Sequence, residues 1–224
     1  RPSPAVFEAL ASTALKTLHD TVLPPRFRSR GWFWLASQLI SWAMRPNPAL
    51  AADFDAALRQ TGLEAALLRG PVIGIHVRHG DACLTRERRR MARKCYSLEA
   101  HLDRVRDYAK QLGSRTIYLA TDSQQVVEQA KRSAEFDFIW MRNVTRQRRT
   151  PRQILDKTVA ERVRDGRTHE SAREAWLATL DVMLLARTHV LVGQMTSNFF
   201  RTAVSLRAAA CDCVLPFVSL DAPF

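Results

Sequence analysis

The chain has 224 residues, 46% hydrophobic and 25% charged, the proportions of an ordinary globular protein that can bury a core in one large domain or two small ones. No apolar run approaches the roughly 20 residues that a bilayer span needs. The net charge of +12 comes from Arg more than Lys and draws attention to anionic partners: nucleic acid, acidic membranes or phosphorylated ligands.

The start, Arg1-Pro2-Ser3-Pro4, has neither an initiator Met nor an apolar signal region, so the chain reads as a piece of something longer. Residues 5–20 are Ala- and Leu-rich at helical spacing, and Pro24-Pro25 interrupts them. Trp32 to Met44, with Trp34, Leu39, Ile40 and Trp42, predicts a buried helix that Pro46 and Pro48 end. Residues 49–68 resume the helical pattern and stop at Gly70.

The texture then changes. Residues 71–77 form a short β-branched run typical of a buried parallel strand. Further strands are predicted at 116–121, 136–140, 190–193 and 214–218, with helices at 98–112, 124–133, 171–187 and 197–210 between them. Residues 142–169 read as a polar, Arg-rich connection. This alternation predicts an α/β fold: a Rossmann-like, doubly wound parallel sheet over 71–224, with 1–70 as a helical segment packed on it.

In such sheets ligands sit beyond the carboxyl ends of the strands. That rule selects His76 to Asp81, Thr121-Asp122 and Gln194 to Asn198 before any family is named. Arg78 offers a planar charged fork that matches phosphate oxygens, and His76, two residues earlier in extended chain, points to the same side. Asp81 could orient that guanidinium; a strand-end Arg paired to Asp81 for stability is the plainer reading. Thr196-Ser197 and Thr121-Asp122 are ordinary helix caps by position, and equally placed to meet an anion at a helix N-terminus. No dinucleotide fingerprint or Walker loop is present, nor an Asp-x-Asp of the sort that carries a metal–nucleotide complex in many glycosyltransferases, so a bound diphosphate would be neutralised by Arg and helix dipoles without an obligatory metal or cofactor.

Two Arg-rich clusters, Arg86 to Lys94 and Arg142 to Arg152, read either as solvated surface or as anion-binding patches. Of the four cysteines, Cys211 and Cys213 are too closely spaced for a structural zinc site. Cys83 and Cys95 could pair across the basic loop in an oxidising compartment, or remain thiols. Asn143-Val144-Thr145 is a sequon that permits a lumenal location.

The segment 72–81, Val-Ile-Gly-Ile-His-Val-Arg-His-Gly-Asp, resembles the first signature of the α1,6-fucosyltransferases, which include core N-glycan and rhizobial Nod-factor enzymes. Residues 117–122 resemble the second signature. Leu180-Asp181, Val190 to Val192 and Thr196 to Arg201 resemble the third. The Trp-rich helix ending in Arg45-Pro46-Asn47-Pro48 is similar to the family too, so the likeness runs in order from Trp32 to Arg207.

The resemblance implies the donor-binding half of a GT-B-like enzyme of the Golgi lumen, with GDP-fucose as donor and a glycan or glycoprotein as acceptor. It implies contacts from His76 and Asp181 to guanine and from Arg78, Thr196 and Ser197 to the β-phosphate. Asp81 and Asp122 would support the donor pocket. The reaction implied is inverting transfer of L-fucose to the 6-hydroxyl of a GlcNAc. Membrane attachment would come only through an anchor outside this chain.

Departures fall on the acceptor side. His79 stands where the family has a second Arg, Ala82 where it has Lys, Ser123 where it has a second Asp, and Asn198 where it has Gln. The family's general base lies a few residues beyond Asp81, where Glu87 is the carboxylate available, amid Arg residues. Two other readings follow: transfer of another sugar from a guanine nucleotide, and a non-catalytic domain binding GDP-sugar or glycan. Nucleic-acid binding ranks last, since basic charge supports it and no recognition motif does.

Overall fold

A computed structural model describes residues 25–79, 95–142, 144, 146 and 168–221. The expected helix over 5–20, Asp81, Glu87, Cys83, the cluster Arg86 to Lys94 and both ends of the sequon lie outside them.

A 3₁₀ turn, Pro25–Arg30, leads into helix α1 (Gly31–Ala43). The carboxamide of Asn47 accepts from Leu50 N at 2.8 Å and Pro48 occupies the first turn, so α2 (Pro48–Gln60) begins where proline's missing N–H costs nothing. The expected helix over 49–68 is two helices. Gly62 adopts φ +80°, a conformation that favours glycine, and α3 (Leu63–Arg69) starts after that break.

The α/β alternation follows: β1 (Ile73–Val77), α4 (Leu98–Leu112), β2 (Thr116–Thr121), α5 (Gln124–Lys131), β3 (Asp137–Ile139), α6 (Thr168–Leu185), β4 (Val190–Gly193), α7 (Asn198–Cys211) and β5 (Phe217–Ser219). Ser97 caps α4 through Ala100 N at 3.1 Å, and Gly113 at φ +60° closes it. All strand pairs are parallel, in the order β3-β2-β1-β4-β5. This is the doubly wound sheet expected from the sequence, with the winding reversing between β1 and β4.

Every residue of β1 and β4 is buried, which explains why, His76 apart, they are apolar throughout. Ile73, Ile75, Val77, Ile117, Leu119 and Val192 pack with α4 and α5 on one face. Tyr118, Ala120 and Leu191 pack with α6 and α7 on the other. Glycine at 74 and 193 lets those helices approach closely. A Cβ at Gly74 would press into Thr188 Oγ1 and Leu185, and one at Gly193 into the Phe200 ring.

The described N-terminal part rests on this second face, α1 against α7 and α2 against α6 and α3. The expectation of a buried helix over 32–44 is corrected. Ser37 is the buried residue of α1, while Leu39 is 56% and Trp42 67% exposed. Its apolar run covers one side of α7 and continues onto the surface, which hydrophobicity alone does not reveal. Trp34 Nε1 donates to Asp212 Oδ1 at 2.9 Å and Arg30 pairs with the same carboxylate at 2.9 Å. Asp212 stands between Cys211 and Cys213, which are joined as a disulfide. Cys95 is disulfide-bonded as well, so none of the described cysteines is a thiol.

Candidate functional site

The winding reverses between β1 and β4, the place where such sheets form a ligand crevice, and among the described residues His76, Arg78, Asp122, Thr196 and Ser197 lie at or just beyond the carboxyl ends of β1, β2 and β4. His76 is the fourth residue of β1 and is buried. Its imidazole stacks on Phe199 at the start of α7, with centroids 4.7 Å apart and planes 16° apart. Burial first, then the nearby His101 and Arg78, push the His76 imidazole down to about 3, so it is neutral near pH 7. Its Nδ1 is buried without a hydrogen-bond partner. Arg78 and His79 follow directly on the strand.

Across the crevice Ser197 is the N-cap of α7, and the capping reading is corrected: its side chain makes no capping bond. Its Oγ is buried and unpartnered, while its backbone N donates to Gln194 O at 3.0 Å. A buried hydroxyl left unbonded costs free energy, so an orphan at a helix N-terminus is an invitation to an anionic acceptor. Thr196 differs. Its hydroxyl donates to Asp221, which also accepts from Met195 N at 2.9 Å and Ser219 Oγ at 3.1 Å. Those hydrogen bonds hold the Asp221 carboxyl below its ordinary range despite partial burial. Asp221 thus fixes the loop that feeds α7; nothing in the sequence distinguished it.

The third expected position, Asp122, accepts from His79 N at 2.8 Å and so ties the end of β2 to the chain leaving β1. Thr121 Oγ1 donates to Val77 O at 2.7 Å and reinforces the same junction. The His79 imidazole is engaged with Tyr96 O at 2.7 Å. Asp181 is buried on α6, where Tyr118 Oη donates to its Oδ1 at 2.6 Å. Burial pushes the Asp181 carboxyl up to about 6, against the lowering effects of the Tyr118 hydrogen bond and the Arg146 charge.

Within the Arg142 to Arg152 cluster, Arg142 is exposed as the surface reading expects and Arg148, Arg149 and Arg152 lie outside the described residues, but for Arg146 that reading is corrected. Arg146 is 8% exposed, with Nε donating to Thr121 O at 3.2 Å and Nη2 to Met141 O at 2.6 Å. Among the described residues no three His, Cys, Asp or Glu side chains gather as a metal site would require.

A family model described as alpha-(1,6)-fucosyltransferase N- and catalytic domains matches residues 16–222, nearly the whole chain. The chain belongs to this family. The matched span includes β1 to β5 and every candidate site residue. The alpha-(1,6)-fucosyltransferase of Drosophila melanogaster is 32% identical over 105 residues, covering 44% of this chain and 15% of that protein. A crystal structure of NodZ alpha-1,6-fucosyltransferase soaked with GDP-fucose has a TM-score of 0.39 at 22% identity, covering 72% of this chain and 43% of that one. A structure of POFUT1 in complex with GDP-fucose has a TM-score of 0.43 at 11% identity, covering 81% and 49%. The fucosyltransferase-family chain therefore spans less than half the length of each of these relatives.

Proposed function

We propose that this fucosyltransferase-family chain, over 71–224, is the GDP-fucose-binding half of a GT-B-like enzyme that transfers L-fucose to a glycan hydroxyl. One observation carries the reading. Two buried polar atoms without partners, His76 Nδ1 and Ser197 Oγ, lie at the ends of β1 and β4, where a doubly wound sheet receives a nucleotide.

The assignments follow from chemistry. A neutral imidazole can donate to a base carbonyl, and a carboxylate can accept from guanine's N–H groups, which suits His76 and Asp181. Arg78, at the mouth of the crevice, would hold the β-phosphate together with Ser197 and the first N–H groups of α7. Thr196 would join them by turning its hydroxyl away from Asp221. Asp122 supports the pocket by holding the His79 backbone, and Asp81 would orient Arg78. As the fucosyl–oxygen bond breaks, charge grows on the departing β-phosphate, so a fixed guanidinium stabilises the transition state more than the ground state. Attack from the opposite face would invert the anomeric centre, with Glu87 as general base, no obligatory metal, and the 6-hydroxyl of a core GlcNAc as acceptor. The setting would be the Golgi lumen, with any membrane anchor outside this chain.

A second reading, a non-catalytic GDP-sugar binder, draws on His79. Where the family has a second Arg, this side chain is bonded to the Tyr96 carbonyl and offers the phosphate no charge-matched fork. Transfer of labelled fucose from GDP-fucose to a GlcNAc-terminated glycan, by the full-length protein, separates the two. Turnover that falls by orders of magnitude in Arg78→Ala supports the enzyme. GDP binding without turnover in the wild type supports the binder.

A further inference from the structure

Asp181 is an odd residue to bury. A carboxylate taken from water costs several kcal/mol, which an ion pair with ideal geometry can offset. Yet Arg146, the buried Arg beside it among the described residues, spends its bonds on the carbonyls of Thr121 and Met141. The hydrogen bond that Asp181 receives comes from Tyr118 and falls on Oδ1. The phenol keeps its proton, since burial and the adjacent carboxylate raise it well above its ordinary range. Arg146 acts on Asp181 through its charge rather than as a partner. A cluster built for stability alone would close the fork of Arg146 on the carboxylate.

The register places this cluster next to the nucleotide crevice. Tyr118 pairs with Gly74 and Ala120 with His76, so Tyr118 and His76 share one face of the sheet. They stand about 7 Å apart along the strands and about 5 Å across them. The helix α6, which carries Asp181, covers that same face.

We propose that Tyr118 and Arg146 are positioning residues for nucleobase recognition, holding the Asp181 carboxylate charged and aimed so that Oδ2 accepts the N1–H and amino donors of guanine. This rests on the reading of Asp181 as a guanine contact. Tyr118 immobilises one oxygen. Arg146 supplies a fixed positive charge and also anchors the end of β2 at Thr121, next to Asp122. Guanine presents two adjacent donors to Oδ2; adenine, with an acceptor at the equivalent ring nitrogen, is rejected.

The groups that set the charge on Asp181 are Tyr118 on β2 and Arg146 in the connection after β3. Without the phenol proton the carboxylate is harder to ionise, so base recognition requires a higher pH. The experiment is calorimetric titration of the whole chain with GDP, and with ADP as control, from pH 5.5 to 8.5. The proteins compared are wild type, Tyr118→Phe and Arg146→Lys, each checked for folding by circular dichroism.

The expected result is that Tyr118→Phe binds GDP roughly tenfold more weakly at pH 7 and recovers most of the loss by pH 8.5. The pH at which half the affinity is lost moves upward. Should Tyr118→Phe fail to fold, Arg146→Lys carries the same test, because a single ammonium cannot span both carbonyls and keep its place. A wild-type affinity and pH profile in the folded variant overturns the proposal, as does a loss that is the same at every pH. Absence of GDP binding by the wild type removes the functional reading itself, and this inference with it.

Discussion

The imidazole of His76 lies face to face with the ring of Phe199, 4.7 Å between centroids and 16° between planes. The contact joins the end of β1 to the first turn of α7, the two elements that frame the crevice, and fixes the plane in which the imidazole meets a ligand. Replacing Phe199 with Ala removes the stack and opens a half-buried gap. The expected cost is about 1–3 kcal/mol in urea-induced unfolding. GDP affinity should fall as well, because the imidazole loses its preferred orientation. Unchanged affinity in a folded variant would show that the stack does not serve the site.

Acid should weaken the fold in a specific window. The folded state holds His76 at about 3 and His101 at about 4, below the ordinary 6.5. For a histidine with a depressed pKa the unfolded chain binds the proton first. Their stabilising effect is full above pH 6.5 and is lost as pH falls from there through 4 and 3. Asp181 opposes this, since its raised pKa makes the native state the better proton acceptor between the ordinary 3.8 and about 6. Two histidines outweigh one carboxyl, so stability should drop between pH 6.5 and 4.5. Denaturant midpoints across that range test it, and the slope should be shallower in His76→Asn.

Close packing at the two strand glycines makes them intolerant of a single methyl group. Gly193→Ala drives a Cβ into Phe200, and Gly74→Ala into Thr188 and Leu185, all buried. Each should cost about 1–3 kcal/mol, seen as a lowered thermal midpoint. Gly70→Ala serves as the control, because a Cβ there meets nothing.

Asp221 gathers Met195 N, Thr196 Oγ1 and Ser219 Oγ onto one carboxylate. Asp221→Ala leaves an N–H and two hydroxyls to find new partners, at an expected cost of about 1–3 kcal/mol. The loop that presents Ser197 would lose its anchor, so GDP affinity should fall by more than the stability change predicts. Loss of stability with intact affinity would place Asp221 outside the site.

The fold was largely legible because strands buried on both faces must be apolar and short, and helices between them repeat at 3.6 residues. Ile73 to Val77 and Val190 to Gly193 show this directly. The site was legible in part, because the ends of parallel strands are where such sheets bind ligands. What sequence reasoning missed depends on contacts distant along the chain. Arg146 sits among surface-like arginines, and its burial comes from carbonyls of Thr121 and Met141. Tyr118 looks like a core aromatic until Asp181, 63 residues on, accepts a hydrogen bond from its hydroxyl. The clamp at Asp221 joins segments separated by 26 residues at Met195 and has no local signal. For α1, an apolar run indicated burial, whereas Leu39 and Trp42 remain exposed beyond the strip that meets α7.

If His76, Arg78 and Ser197 frame a guanine-nucleotide site, calorimetric titration with GDP reads it out without any acceptor. Parallel titrations with ADP and UDP, repeated on Arg78→Ala and Ser197→Ala, complete it. Saturable binding of GDP alone is expected, abolished by the first substitution and weakened by the second. Equal affinity for all three nucleotides, or GDP binding untouched by Arg78→Ala in a folded protein, would contradict that assignment.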